Sequence, residues 1–258
     1  KNIYKDILKL NIKKKEVFLI PNSIYLKKYK YIKKNNKKIN LITVGRYAKY
    51  NNNYSGEEYK SGFGRQVLGE KWAGHYGGNH RSSTRLDIVP ENAKHPILNG
   101  VKDVFGPSDV YGIRRLTDKD TILLRGAVTA TLDPKSKLVE GKNDPMQPLA
   151  WLHPYEAPNG KGGTTFCTTM GASVDLVSED LRRLLVNAAY HLTGLKVPQN
   201  ADTSYVDPFY PSFYGFIRDK NHWPSLDMQP ADYGLGKSPT APEPKGSPKW
   251  SWRDSPKD

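Results

Sequence analysis

Cysteine is almost absent from this sequence. Cys167 is the only one in 258 residues, and a single thiol makes neither an intrachain disulfide nor a cysteine zinc cluster. This weighs against a disulfide-stapled secreted fold, while the choice between cytoplasm and periplasm stays open. Arginine is missing from residues 1–40. Without its planar fork the basic segment lacks the usual reader of guanine, and no RNA-binding motif accompanies it. Nucleic acid is therefore not the expected partner. No run approaches the ~20 apolar residues of a membrane span, so none is expected. Val17 to Ile20 is too short for a signal-peptide core. The sequence contains no P-loop and no G-x-G-x-x-G, which disfavours nucleotide chemistry.

What is abundant is unevenly spread. Residues 1–40 hold 13 Lys against Asp6 and Glu16, which is +11 of the total +14, and leave +3 for residues 41–258. Residues 1–44 consist almost wholly of Lys, Asn, Ile, Tyr and Leu, with no Gly before Gly45 and no Ala before Ala48. The first four of those residue types share A/T-rich codons. We expect this segment to be foreign to the domain that follows, as a misread frame or fused fragment; the rival reading is a solvated arm.

From Arg46 onward the pattern is that of an α/β domain ending near residue 197. Phe63, Val67, Leu68 and Trp72 are spaced as on a helix, which predicts one over residues 63–72. Residues 83–89 alternate as a strand, 95–101 read as a turn-rich connector, and 122–128 and 149–152 read as strands. Residues 160–163 form a glycine turn into a strand at 164–169, giving a hairpin. Leu181, Leu184, Leu185, Ala188 and Leu192 mark a helix over 179–193, with Ser178 as N-cap and Gly194 beyond its end. Residues 198–258 are rich in proline and aromatics. Tyr205, Phe209, Tyr210, Phe213, Tyr214 and Phe216 suit an extended arm across the domain, and the last ~20 residues read as an exposed tail.

The order of several short motifs is more informative than any one of them. Phe63–Trp72, the loop His75-Tyr76-Gly77-Gly78-Asn79-His80-Arg81, the strand after it and His95-Pro-Ile-Leu-Asn-Gly-Val101 resemble the middle of ThuA-like (trehalose-utilisation) proteins. Ser108-Asp109-Val110-Tyr111 resembles the family's D-E-x-Y element, with Val110 in place of the acid. Pro148-Leu-Ala-Trp151 and residues 160–171 resemble its P-V-A-W and G-K-G-R-V-F-Y-T-x-L-G-H hairpin, with Ala172 in place of the terminal His. The pattern spans residues 45–225 and is most similar to planctomycete-type bacterial paralogues. The resemblance implies a flavodoxin-like, class I glutamine-amidotransferase-like three-layer sandwich. It also implies that the sheet's N-terminal strands are missing. For function it implies carbohydrate utilisation, on a sugar or keto-sugar, in step with a partner dehydrogenase.

Several side chains are candidates for the chemistry. His75 and His80 lie on a glycine-rich loop before a strand, where α/β sheets bind ligands, and imidazole exchanges protons near neutral pH. Asp109 offers a base or an acceptor for sugar hydroxyls, Tyr111 a proton donor or a stacking ring, and His153 a third imidazole near a strand end. These five are the expected catalytic groups, with Tyr76, Arg81 and Tyr155 lining the substrate. Loop capping and core packing are the competing roles. No metal or cofactor set is expected: His75 and His80 match no known ligand spacing. Cys167 sits mid-strand rather than on a strand-to-helix elbow, so it is read as structural. Val110 and Ala172 favour an alternative, a non-catalytic carbohydrate-binding or interaction module.

Overall fold

A computed structural model describes residues 62–133, 135–156, 160–215, 217–233, 236–237 and 243–249, together with the backbone of 41–44. The readings of residues 1–40, of Phe216 and of tail residues 238–242 and 250–258 lie outside the described residues; tail residues 243–249 are exposed or half-buried.

The chain forms a mixed α/β structure around one sheet. Its elements are β1 (Leu41–Val44), α1 (Gly62–Val67), β2 (Thr84–Ile88), β3 (Phe105–Gly106), β4 (Thr121–Val128), β5 (Gln147–Glu156), β6 (Gly162–Thr168), α2 (Glu179–Leu192) and the one-turn α3 (His222–Ser225). The spatial order is β1-β6-β5-β4-β2-β3. All neighbours are antiparallel except β1, which pairs parallel with β6 from Leu41↔Thr165 to Val44↔Thr168. Leu41–Val44, which composition groups with the Lys-rich segment, therefore belongs to the sheet.

The sheet is covered on both faces, and the period-two alternation of its strands assigns residues to each. On one face Ala150, Leu152 and Phe166 pack beneath α2, against Leu181, Leu184, Ala188 and Leu192. On the other, Trp151 and Cys167 meet Val67 and Leu68 of the α1 segment, with Trp72, Ile113, Leu116 and Ile122 around them. Leu152↔Phe166 and Trp151↔Cys167 are facing pairs in the β5–β6 register. Each fully buried side chain of this size stabilises by roughly 1.5–3 kcal/mol. Register shifts in β4 break the alternation near Leu124, so the adjacent Leu123 and Leu124 are both buried.

α2 matches its sequence pattern closely. Ser178 Oγ accepts from Leu181 N at 3.4 Å, and Gly194 takes φ 75°. α1 does not: it stops at Val67 rather than running to Trp72. Leu68 N donates to Gly64 O, and Gly69 then turns left-handed at φ 82°, a conformation that ends helices. Trp72 reaches the same apolar cluster from irregular chain beyond the helix, so its helical spacing is coincidental. Among the described residues no helix is long and apolar enough to cross a membrane.

The extension returns to the domain. Arg182 holds the carbonyl of Thr203, Phe213 is buried against Leu132 and Val174, and Tyr214 reaches the carbonyl of Pro107.

Candidate active site

A buried carboxylate organises the loops that build the site. Glu70 is 1% exposed. Its Oε1 pairs with Arg65 and accepts from Lys71 N, while Oε2 accepts from Arg114 N and Arg115 N at 2.7 and 2.8 Å. This ties α1 and the chain after it to residues 114–115. The two segments then run side by side: Gly112 N donates to Gly74 O, and Tyr76 N and Gly77 N both donate to Val110 O. His75 and Tyr111 face each other across this bridge.

The pairing brings His75 onto Asp109, with Nδ1 2.8 Å from Oδ2. The Asp109 side chain is 2% exposed and that of His75 is 32% exposed, so a buried carboxylate orients an accessible imidazole. Trp72, His75 and Tyr111 form a triangle of edge-on rings with centroids 5.6 to 6.3 Å apart. Gly77 is required here: a Cβ would lie 2.7 Å from Ser82 Oγ and 3.1 Å from Asp109 Cβ. Tyr76 holds the ammonium of Lys142 over its ring at 4.7 Å, a cation–π contact.

His80 turns away from this pair. It has φ 61°, rare for a residue with a side chain. Its ring packs on Phe213 and Tyr214 at 5.3 and 4.9 Å. The Tyr214 hydroxyl donates to Pro107 O, two residues before Asp109. Burial raises this phenol far above its ordinary pKa, and the charges of Asp109 and Asp175 push the same way. Asp175 is fully buried and accepts from Ser108 N, Ser108 Oγ, Gly171 N and Ala172 N. Burial raises its pKa, and those four bonds pull it back. Gly106 has no room for a side chain, because its Cβ would collide with Asp175 and Met170.

His153 stands elsewhere. It lies inside β5, three residues before the strand's end. Gln147, at the other end of β5, accepts from Ile113 N and faces Gly126, which packs on Val110. At strand rise, six residues separate His153 from Gln147 by roughly 20 Å. The structure thus brings His75 against Asp109 and Tyr111, and His80 packs on Tyr214, whose hydroxyl bonds two residues before Asp109; His153 bonds to Asp120. Tyr155 packs in the apolar cluster that Trp151 shares with Trp72. Arg81 is exposed on the loop. His153 has its own partner: Nδ1 lies 2.6 Å from Oδ1 of Asp120, whose Oδ2 accepts from Thr117 N.

Glu70, Asp120 and Asp175 were not anticipated as organising residues. Only Asp120 carried a local signal, as the acid three residues after Thr117 in a turn. Trp151 is wholly buried and donates its Nε1–H to Leu68 O, and Cys167 is buried with Sγ 3.4 Å from the same carbonyl. Both are core residues. Val110, where the resembled family has an acid, is buried beside Gly126. Among the described residues no three His, Cys, Asp or Glu side chains are grouped to hold a metal ion. No protein-family model, curated protein or solved structure matches the chain.

Proposed function

We propose that this is a ThuA-like protein of carbohydrate utilisation that acts on a sugar or keto-sugar by acid–base chemistry at His75. The observation that carries the reading is the buried Asp109 carboxylate bound to an accessible imidazole inside a collar of aromatic rings. A carboxylate on Nδ1 keeps the proton there, which makes Nε2 the basic nitrogen. It also stabilises the imidazolium formed when Nε2 takes a proton from carbon or oxygen next to a sugar carbonyl. Trp72 and Tyr111 supply apolar ring surface of the kind that receives sugar faces. The flavodoxin-like, amidotransferase-like sandwich belongs to the same proposal. Cover on both sheet faces supports it, and the antiparallel pairing of β2 to β6 is where it departs from a parallel sheet.

A second reading, a carbohydrate-binding module without turnover, is favoured by one observation. Val110 stands where the resembled family has an acid, and its buried position leaves Asp109 as the only carboxylate of that motif by sequence. A melting screen of the full chain against disaccharides and keto-sugars tests both. A sugar that raises the midpoint identifies the class, because a ligand of the native state stabilises it. Turnover of that sugar, lost by 10²-fold or more in Asp109→Asn with binding retained, supports the catalytic reading. Binding without turnover supports the module. No stabilising sugar sinks both.

A further inference from the structure

The backbone that leads into Asp109 is bonded group by group. Pro107 O accepts from the Tyr214 hydroxyl at 3.2 Å, Ser108 N donates to Asp175 Oδ1 at 3.1 Å, and Ser108 O accepts from Thr84 Oγ1 at 2.7 Å. The peptide between Pro107 and Ser108 is therefore held at both of its polar ends, and the next one at its carbonyl. Three side chains from three places make these bonds. Thr84 belongs to β2 and Asp175 to the short turn Ser173–Val177 ahead of α2, and they are 1% and 0% exposed. Tyr214 is half-buried and comes from the extension, 107 residues beyond the carbonyl that it reaches.

Tyr214 makes a second kind of contact. Its ring meets His80 edge-on at 4.9 Å and stacks on Phe213 at 4.6 Å. His80 stands at the end of the loop that carries His75, where Arg81 N and Ser82 N close a turn on Gly78 O. One side chain thus touches both segments that meet in the His75–Asp109 pair. Its ring bears on the first segment and its hydroxyl on the second. The arm behind it is anchored in turn: Phe213 is buried against Leu132 and Val174, Phe213 N donates to Glu243 Oε2 at 2.7 Å, and Ser212 O accepts from Ser173 Oγ. Burial raises the pKa of the Tyr214 phenol, and the charges of Asp109 and Asp175 add to this. The phenol therefore keeps its hydrogen and acts as a donor, not as an acid.

We propose that Tyr214 is a positioning residue for the His75–Asp109 pair, setting the Asp109 carboxylate against His75 Nδ1 by tying both segments to the extension. The proposal rests on His75 as the base of the functional reading above. Such a pair transfers protons well only when the residues around it hold it near its productive geometry.

The test reads the tautomer of each imidazole in the full chain from its nitrogen resonances. A well-placed Asp109 keeps the His75 proton on Nδ1, and a displaced one lets Nε2 compete for it. Tyr214→Phe keeps the ring and deletes the donor. It should move the His75 ratio of Nδ1–H to Nε2–H roughly 3- to 10-fold toward Nε2–H, the factor to which one net hydrogen bond corresponds. His153, bonded to Asp120, is the internal control and should stay as it is. His80→Asn deletes the ring contact while suiting the left-handed backbone, and should shift His75 in the same direction by less. An unmoved His75 ratio in either variant would overturn the proposal. Equal shifts at His75 and His153 would overturn it too, because they would mean general loosening. No sugar enters this measurement, so its failure is distinct from that of the melting screen, which tests the carbohydrate reading.

Discussion

The His75–Asp109 and His153–Asp120 pairs share a bond and a buried carboxylate, yet they rest on different scaffolds. Asp120 and Asp109 are 1% and 2% exposed in their side chains, and the bonds measure 2.6 and 2.8 Å. His153 is set in β5, 17% exposed, with Gly69 packed against its ring. His75 is on a loop, 32% exposed, and its ring neighbours are Trp72 and Tyr111. One pair is part of the sheet's packing; the other is held by loops and faces solvent. The same two residue types therefore do different work according to what surrounds the imidazole. Loops over a rigid sheet are where function concentrates.

The largest way to break the comparison is through the glycines behind each pair. An alanine methyl at Gly69 would lie 2.7 Å from His153 Nδ1 and 3.1 Å from Asp120 Oδ1, at a backbone φ of 82°. Backbone strain and ring displacement act together, and Gly69→Ala should cost about 2–4 kcal/mol. Gly77→Ala meets the Ser82 hydroxyl, which would have to leave its bonds to Gly78, together with Asp109 Cβ at 3.1 Å and Val110 N at 3.2 Å, but without a left-handed φ. It should cost about half as much. Urea midpoints at an unchanged m-value provide the check. A Gly69→Ala protein as stable as the parent would show that His153 and Asp120 have room to yield.

A finer contrast comes from double-mutant cycles. Combining Asp120→Asn with His153→Gln should reveal a coupling of about 1–2 kcal/mol, since little water screens that pair. Asp109→Asn with His75→Gln should give under about 1 kcal/mol, because the imidazole is nearer to solvent. Equal couplings would mean that exposure does not separate the two pairs. Under the functional proposal, the second cycle moves turnover more than stability.

The sequence reached this contrast only partly. α2 was legible because its apolar spacing, cap and closing glycine agree, and β2, β4, β5 and β6 follow from alternation and turns. His75, Asp109 and Tyr111 are three of the five groups expected to share a site, and their geometry is not legible in the sequence. The bridge between residues 74–77 and 110–112 is built by backbone bonds, which leave no mark on side-chain pattern. Glu70 is hidden for a related reason. Its partners at 114–115 are 44 and 45 residues away, and a lone Glu looks like any surface acid. His153 was misplaced because β5 is longer than its apolar run: Pro154, Tyr155 and Glu156 continue the strand although their polarity suggests a turn. The end of α1 was missed because Trp72 keeps helical spacing after the helix has stopped.

A third imidazole pair, with no carboxylate, gives the smallest effect. His95 and His191 pack edge to face at 4.9 Å, and His95 Nδ1 accepts from Ile97 N, a bond that requires an unprotonated nitrogen. Burial lowers the pKa of both, and the charge of His191 lowers His95 further. The unfolded chain therefore takes up these protons first as pH falls below about 6.5, the ordinary histidine value. Their contribution to stability is complete above that value and shrinks as pH drops toward the lowered folded values. His191→Gln removes one proton and the repulsion on the other, so its urea midpoint should fall less between pH 7.5 and pH 5 than that of the parent. Carboxylates elsewhere contribute to both proteins alike, so the difference isolates the pair. Parallel losses in parent and variant would mean that the two imidazoles titrate in the folded chain as they do in the unfolded one.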